Sequence, residues 1–216
     1  VFFVLAATAC GIAIWPLRTG MTRVTFYEHG ATSRLWGTEL AIPYADATTL
    51  RYRLIKGSSH HGVTGGVAVQ LSFRSAEGRC ILYSGDLQRK PLELRSIFSG
   101  KYETTDTIER AMVTIASFVA DRWQSAILDG ERREWGGVAE FSIAGLSILK
   151  GRDRGSHLPW SAIESWSLQD DRLEVSLHAA DARRIRVDPG CDDFFAGIEL
   201  LRRMVQSLGP QEAPSA

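Results

Sequence analysis

Three cations lie close together near the middle of the second half of the chain, where they could bind an anion. Lys150, Arg152 and Arg154 alternate with Gly151 and Asp153 in the sequence KGRDR. Cations on one loop can pair with an anionic lipid headgroup, and each contributes about 1 kcal/mol near a membrane surface. Asp153 lies among them and weakens the positive field. The segment therefore predicts either an anion-binding loop or an ordinary charged turn between two strands.

Other polar side chains do not form a catalytic or metal-binding pattern. His60 and His61 are adjacent in a segment rich in Gly and Ser, but no Cys or carboxylate follows at metal-ligand spacing. No nucleophile, base and orienting group can be assembled, and no Gly-rich phosphate loop is present. We therefore expect no enzyme activity, no metal site and no cofactor. The carboxylates that no pattern brings together are Asp46, Glu164, Asp170 and Asp171.

Composition limits the class of partner. The chain has 216 residues and a formal net charge of zero, so no broad positive field favours nucleic acid. This length is enough for two small domains. The three cysteines, Cys10, Cys80 and Cys191, are scattered along the chain and suggest no disulfide framework. A reducing compartment suits this pattern.

The N-terminal segment is apolar. Residues 1–17 contain no charged side chain, and Arg18 and Arg23 follow them. Spanning a bilayer takes about 20 apolar residues, so we predict a transmembrane helix over residues 1–19, truncated at its N-terminus. A cleaved signal peptide, a lipoprotein anchor at Cys10 and a buried core segment are the alternatives. The two arginines favour a cytoplasmic location for the domains that follow, in a protein with one or more membrane spans.

The remaining chain repeats one pattern twice. Gly30 follows a short run of β-forming residues and corresponds to Gly145. Pro43 corresponds in the same way to Pro159, and further strand-like runs follow each proline. A repeat of about 100 residues is a whole domain, because solenoid repeats are shorter. The sequence therefore predicts two domains of similar fold.

Each repeat ends in an amphipathic helix. Apolar residues of the first helix recur at helical spacing, which predicts a face turned to the core. They are Ile108, Met112, Ile115, Val119 and Trp123. Asp192 is predicted to cap the second helix. A helix of this kind can cover the apolar face of an antiparallel sheet. We expect the domains over residues 23–128 and 136–209, followed by a disordered tail over residues 210–216.

The segment LPWSAI, which ends at Ile163, resembles a motif of the bacterial pleckstrin-homology-like (PH-like) domains. In those domains it closes one corner of a strongly bent sheet, and a C-terminal helix plugs the open end. The resemblance implies an α+β fold: tandem PH-like units, each a bent antiparallel sheet or partial barrel closed by a C-terminal helix, after an N-terminal transmembrane helix. Pro159, Trp160 and Ile163 match the motif closely, and Pro43 and Tyr44 match it loosely.

The resemblance implies a membrane setting and transfers no catalytic residue. We therefore expect a membrane-anchored interaction or regulatory protein that binds a protein or peptide at the cytoplasmic membrane face. One alternative is a sensor of anionic lipid headgroups that uses Lys150, Arg152 and Arg154. Another is an accessory part of an enzyme whose catalytic portion lies upstream. Trp135, in the connector between the repeats, is expected to pack between the two units.

Overall fold

The computed structural model describes six stretches of the chain, which contain two α-helices and thirteen β-strands. These stretches are residues 23–35, 37–56, 67–86, 107–169, 172–177 and 182–209. The predicted tail over residues 210–216 lies outside them. We call residues 23–128 the first half and residues 133–209 the second half, because the order of elements in one is repeated in the other.

The first half has two groups of three strands, a short turn between them and a helix at the end. Its elements are β1 (Arg23–Phe26), β2 (Gly30–Leu35), β3 (Thr38–Pro43), a 3-10 turn (Tyr44–Asp46), β4 (Ala47–Lys56), β5 (Val67–Ser75), β6 (Cys80–Asp86) and α1 (Thr107–Leu128). The second half adds one strand at its start and then follows the same order. Its elements are β7 (Arg133–Trp135), β8 (Ala139–Ser142), β9 (Gly145–Ile148), β10 (His157–Pro159), a 3-10 turn (Trp160–Ala162), β11 (Ile163–Gln169), β12 (Arg172–Leu177), β13 (Ala182–Arg186) and α2 (Phe194–Leu208).

The described strands pair antiparallel in four separate sheets, ordered β1-β2-β3, β4-β5-β6, β10-β9-β8-β7 and β11-β12-β13. In each half the chain leaves the first sheet at a proline, Pro43 or Pro159, and passes through a 3-10 turn into the second. Proline has no N–H for a ladder, so the hydrogen bonding does not continue across the turn. The predicted single bent sheet or partial barrel in each half is therefore wrong.

Both helices bury an apolar face. The stripe predicted for the first helix is confirmed at Met112, Ile115 and Val119, which are fully buried on α1. α1 packs on β4 and on the first 3-10 turn, whereas α2 packs on the second 3-10 turn, on α1 and on β4. Buried residues of both halves form one continuous hydrophobic core. α2 therefore packs on both halves and does not cover the sheets of the second half alone.

Arg203 on α2 holds the two helices together through polar contacts. Its guanidinium donates to Ser117 Oγ at 2.7 Å and pairs with Asp121, and both partners lie on α1. It also donates to Glu199 Oε1 at 2.8 Å. Burial acts to raise the pKa of Glu199, but hydrogen bonds from Arg202 and Arg203 outweigh it and lower that pKa. Glu199 is therefore an anion that orients Arg203 toward α1.

Neither described helix is long and apolar enough to span a bilayer. α2 has 15 residues, fewer than the roughly 20 that a span needs. α1 has 22 residues, but Glu109, Arg110, Asp121 and Arg122 interrupt it with charge. The transmembrane helix of the predicted fold class and the membrane localisation derived from it are therefore wrong for the part of the chain that the structure describes. Residues 1–19 lie outside that part.

A reciprocal pair of hydrogen bonds joins the two halves where α2 begins. The N–H of Asp193 donates to the carbonyl oxygen of Leu50 at 2.6 Å, and the N–H of Leu50 donates to Asp193 Oδ1 at 2.6 Å. Leu50 lies on β4, an edge strand of its sheet. The Asp193 carboxylate takes the place of a carbonyl from a neighbouring strand. Arg53 Nε, also on β4, donates to the Gly190 carbonyl oxygen at 2.9 Å.

Asp193 holds this position in an unfavourable environment for a charge. Its φ of 59° lies in the left-handed region, where Asp and Asn are the residues with side chains that occur most readily. Burial raises the pKa of Asp193 to about 7, the hydrogen bond from Leu50 N–H opposes this rise, and the charge of Asp192 adds to it. The folded protein therefore keeps the carboxyl proton of Asp193 up to about pH 7, whereas the unfolded chain loses it at about pH 4.

We predict that Asp193→Asn removes a pH dependence of stability between about pH 4 and pH 7. In this window folded Asp193 binds a proton that the unfolded chain has lost, so the parent's free energy of unfolding falls as the pH rises. The free energy of unfolding stops falling once the pH exceeds the pKa of Asp193 in the folded protein. The amide oxygen of Asn still accepts from Leu50 N–H without a charge, so the variant is the more stable protein at pH 8. Urea unfolding of the parent and the variant at pH 5 and pH 8 measures how each free energy of unfolding depends on pH.

Asp192→Asn is the matched control. The Asp192 side chain is 60% exposed and lies 2.5 Å from Arg51 Nε, so its loss changes the free energy of unfolding by less than about 1 kcal/mol at either pH. A stability profile for Asp193→Asn that runs parallel to the parent's from pH 5 to pH 8 would contradict the role given to Asp193.

Candidate binding surface

The loop between β9 and β10 is held in one conformation by its own backbone. Gly155 N–H donates to the Ile148 carbonyl oxygen at 2.8 Å, and Ile148 N–H donates to that of Ser156 at 2.9 Å. Inside this closure, Ser156 N–H donates to the Asp153 carbonyl oxygen at 3.0 Å. Gly155 has a φ of 86°, which side chains rarely tolerate. The loop thus presents its side chains from a fixed turn.

Asp153, the acid of this loop, faces β13. Its side chain is only 17% exposed. Oδ1 accepts from Arg183 Nη1 at 3.5 Å, and Oδ2 accepts from the backbone N–H of Arg184 at 3.5 Å. The negative charge is therefore turned away from solvent and lies beside a cation.

The three cations predicted as an anion site are all exposed on the same loop. Lys150, Arg152 and Arg154 have exposed side chains, and Arg184 on the adjacent β13 is exposed as well. We call these four residues the basic surface. The sequence suggested that Asp153 weakens the field here, but its carboxylate faces β13, whereas the Lys150 Nζ lies over Gly137, where Glu134 Oε1 lies as well. The three predicted residues are thus exposed on one loop, and Arg184 lies on the strand beside it.

A serine and a histidine lie together on the outer face of the four-stranded sheet. Ser147 Oγ is 3.0 Å from His157 Nδ1, and the two residues are cross-strand neighbours on β9 and β10. Glu140 stands on the other side of Ser147 and accepts from Arg132 at 3.1 Å. In the described residues no carboxylate hydrogen-bonds to His157, so the pair lacks the orienting acid of a catalytic triad.

The remaining candidate residues are dispersed. Asp46 lies in the first 3-10 turn and Glu164 on β11. Asp170 and Asp171 fall outside the described residues, as do His60-His61. Among the residues that are described, no three His, Cys, Asp or Glu side chains could hold a metal ion together. The described part of the chain therefore offers a charged surface and no assembled reaction centre.

The glycines and prolines of the fold motif face each other in both halves. Gly30 pairs with Pro43 on β2 and β3, and Gly145 pairs with Pro159 on β9 and β10. A Cβ on Gly30 would lie 2.9 Å from the Ile42 carbonyl oxygen. The two hairpins can close only because glycine allows this approach of backbones.

The aromatic residue after each proline makes the same contact in both halves. Tyr44 and Trp160 are buried. Tyr44 Oη donates to the Tyr27 carbonyl oxygen at 3.1 Å, and Trp160 Nε1 donates to that of Ser142 at 3.0 Å. Burial raises the pKa of Tyr44 to about 12. Ile163, the last residue of the motif, is buried at the start of β11. Both aromatics thus tie the 3-10 turn to the end of the first hairpin strand.

Trp135 is fully buried among aromatic rings of the second half. Its ring centroid lies 5.6 Å from that of Phe141 and 6.2 Å from that of Phe194. A Cβ on Gly197 would come within 2.5 Å of the indole, so the glycine on α2 makes room for it. Ring contacts between the halves are made instead by Trp123 on α1, whose centroid is 6.4 Å from that of Phe141, and by Tyr52 on β4, whose centroid is 5.4 Å from that of Phe195. A role for Trp135 between the units stays a prediction.

Sequence reasoning missed two features of this region. The first is the inward orientation of Asp153, which depends on the position of β13. The second is Arg184 as a neighbour of the loop, although the alternation of Arg184, Ile185 and Arg186 already indicated a strand with a basic outer face.

Comparison with protein-family models finds no matching family, and comparison with curated proteins finds no matching relative. The resemblance to PH-like domains therefore stays a prediction.

We predict that Gly145→Ala destabilises the protein by about 3 kcal/mol, the upper end of the usual range for single substitutions. Gly145 has a φ of 151°, and an added Cβ would lie 2.9 Å from Pro159 Cα and closer still to the Leu158 carbonyl oxygen. Both are backbone atoms, so the β9–β10 pairing must open to make room for the alanine Cβ. Thermal and urea unfolding measure the loss.

Gly151→Ala is the matched control in the same hairpin. Gly151 has a φ of 97°, but a Cβ there meets no atom within 4 Å, so only conformational strain of about 1–2 kcal/mol is expected. Equal losses for the two variants would show that the close approach at Gly145 does not matter.

Proposed function

We propose that this chain is a non-enzymatic binding protein whose basic surface binds an acidic segment of a partner protein. The observation that carries this proposal is the inward orientation of Asp153. It pairs with Arg183 and leaves Lys150, Arg152 and Arg154 as the exposed charged side chains of the loop. A loop with three exposed cations is complementary to carboxylates.

The geometry of the loop favours recognition over a nonspecific charge effect. The closing hydrogen bonds around Gly155 and Ser156 fix the backbone before a ligand arrives. A preorganised loop loses less conformational entropy on binding than a flexible one. Opposite charges on the partner also speed association.

An acidic protein segment suits this surface better than nucleic acid. The chain as a whole has no net charge, whereas binding to a phosphate backbone depends on many cations. The described residues also contain no assembled reaction centre, which supports a binding role. An anionic lipid headgroup would use the same three cations, and the experiment below separates it from a peptide.

The test measures binding of the full chain to a fluorescein-labelled dodecapeptide of alternating Glu and Ser, by anisotropy at about 0.1 M salt. Replacing Lys150, Arg152 and Arg154 together by Gln should weaken binding by about tenfold, because three exposed charge pairs are lost. The control replaces three exposed arginines of the first half, Arg23, Arg34 and Arg74, by Gln and gives the same change in net charge. Its affinity should stay within about twofold of the parent.

Vesicles of phosphatidylcholine with phosphatidylserine form the second arm. Loss of vesicle binding in the Lys150, Arg152 and Arg154 variant, together with no peptide binding by the parent, would overturn the proposal in favour of a lipid surface. Equal weakening by the two triple variants would also overturn it, because the effect would then depend only on net charge.

A further inference from the structure

β6 lies at the end of its sheet, on the side away from β4. Among the described strands it pairs only with β5, and the register between them runs from Arg74–Cys80 to Ala68–Asp86 without a bulge. An edge strand has backbone N–H and C=O groups without ladder partners, and such an edge can accept an added strand. What β6 can bind therefore depends on which of its groups face away from β5.

A hydrogen bond in the β5–β6 turn identifies these groups. The N–H of Ser75 donates to the Arg79 carbonyl oxygen at 2.9 Å, so the backbone groups of Arg79 point toward β5. In an antiparallel ladder alternate residues direct their backbone groups to the same side. The N–H and C=O groups of Cys80, Leu82 and Ser84 consequently face away from β5, and no described residue hydrogen-bonds to them.

The corresponding strand of the second half, β13, has a covered edge. There the loop between β9 and β10 lies beside the strand, and Asp153 Oδ2 accepts from Arg184 N–H at 3.5 Å. In the first half only residues 36 and 37 separate β2 from β3, so no loop of this kind extends from that connection. Of the two corresponding edges, β6 is therefore the one that is open among the described residues.

The side chains of β6 lack the features that usually prevent pairing of edges. Edge strands are commonly protected by charged residues, proline or a bulge, and Cys80–Ser84 contains none of these. The outer side chains of this segment are exposed, and 58% of Leu82 is exposed. On the inner face Ile81 is buried, and the ring centroid of Tyr83 lies 5.4 Å from that of Phe26 on β1. The inner face thus holds β6 in place while its outer side chains face outward.

A second copy of the same strand is complementary to this edge. When two β6 strands lie antiparallel about a two-fold axis at Leu82, each Leu82 lies opposite its counterpart and each Cys80 lies opposite Ser84 of the second copy. Every outward N–H and C=O group of these residues then has a ladder partner. The two exposed leucines cover each other, and such cross-strand pairs stabilise a sheet. Arg79 lies opposite Gly85 of the second copy, so no like charges meet there.

We infer that two copies of this chain associate through β6 and form one continuous antiparallel sheet in the order β4-β5-β6-β6-β5-β4. A second copy fits this edge better than an acidic or basic peptide, because the two-fold axis sets neutral residues opposite neutral residues and Leu82 opposite Leu82. Two-fold dimers are also the commonest assemblies of soluble proteins. The inference goes beyond the proposed binding of an acidic segment and does not depend on it, since the basic surface lies in the other half.

The first test measures the dimer dissociation constant of the full chain by sedimentation equilibrium. Leu82→Lys sets two ammonium groups opposite each other and removes the apolar contact, so the dissociation constant should rise by at least about tenfold. Ile143→Lys is the matched control, because Ile143 is 52% exposed and lies in the β8–β9 turn of the second half. Its dissociation constant should stay within about twofold of the parent's. A parent that stays monomeric at its highest soluble concentration, or an equal effect of the two variants, would overturn the inference.

Oxidative cross-linking tests the register of the two strands. In the inferred dimer the cysteine of Ser84→Cys lies opposite Cys80 of the second copy, at the Cα separation of about 5.5 Å of a hydrogen-bonded pair, which a disulfide can bridge. This variant should therefore give a covalent dimer on a non-reducing gel that the parent does not give. Adding Cys80→Ser should remove that dimer, because each new cysteine then lies opposite a serine. A covalent dimer that persists in the double variant, or none from Ser84→Cys, would overturn the antiparallel pairing about Leu82. Circular dichroism and thermal unfolding establish that the variants are folded.

Discussion

The reciprocal hydrogen bonds between Asp193 and Leu50 determine how the two halves of the chain fit together. Without Asp193, the N–H of Leu50 would be buried at a strand edge without an acceptor, which costs about 1–3 kcal/mol. Asp193 also marks the start of α2, and Arg203 on that helix reaches α1.

Local features of the fold could be predicted from the sequence because their causes are local. The apolar stripe of α1 follows from helical spacing, and its burial at Met112 and Val119 agrees with it. Gly145 and Pro159 recur at the positions of Gly30 and Pro43, and each pair meets across a hairpin. Glycine permits a close approach and proline ends a ladder wherever they occur, so both effects are visible in a single sequence.

Contacts between distant segments could not be predicted. Asp192 was expected to cap the second helix, but Asp193 is the residue at that position, and its side chain bonds to Leu50 on β4 instead of capping. The partner is a backbone N–H, which no side-chain pattern marks. The orientation of Asp153 likewise depends on β13, a strand about 30 residues away. The transmembrane prediction rested on hydropathy alone, and the helices that the structure describes are amphipathic.

The continuous core has a consequence for how the molecule unfolds. Trp123 of the first half contacts Phe141 of the second, and α2 packs on elements of both. Two halves that share one interior melt in a single cooperative step, because neither keeps its apolar surface covered when the other opens. A substitution that loosens the core in one half therefore lowers the stability of the other half as well.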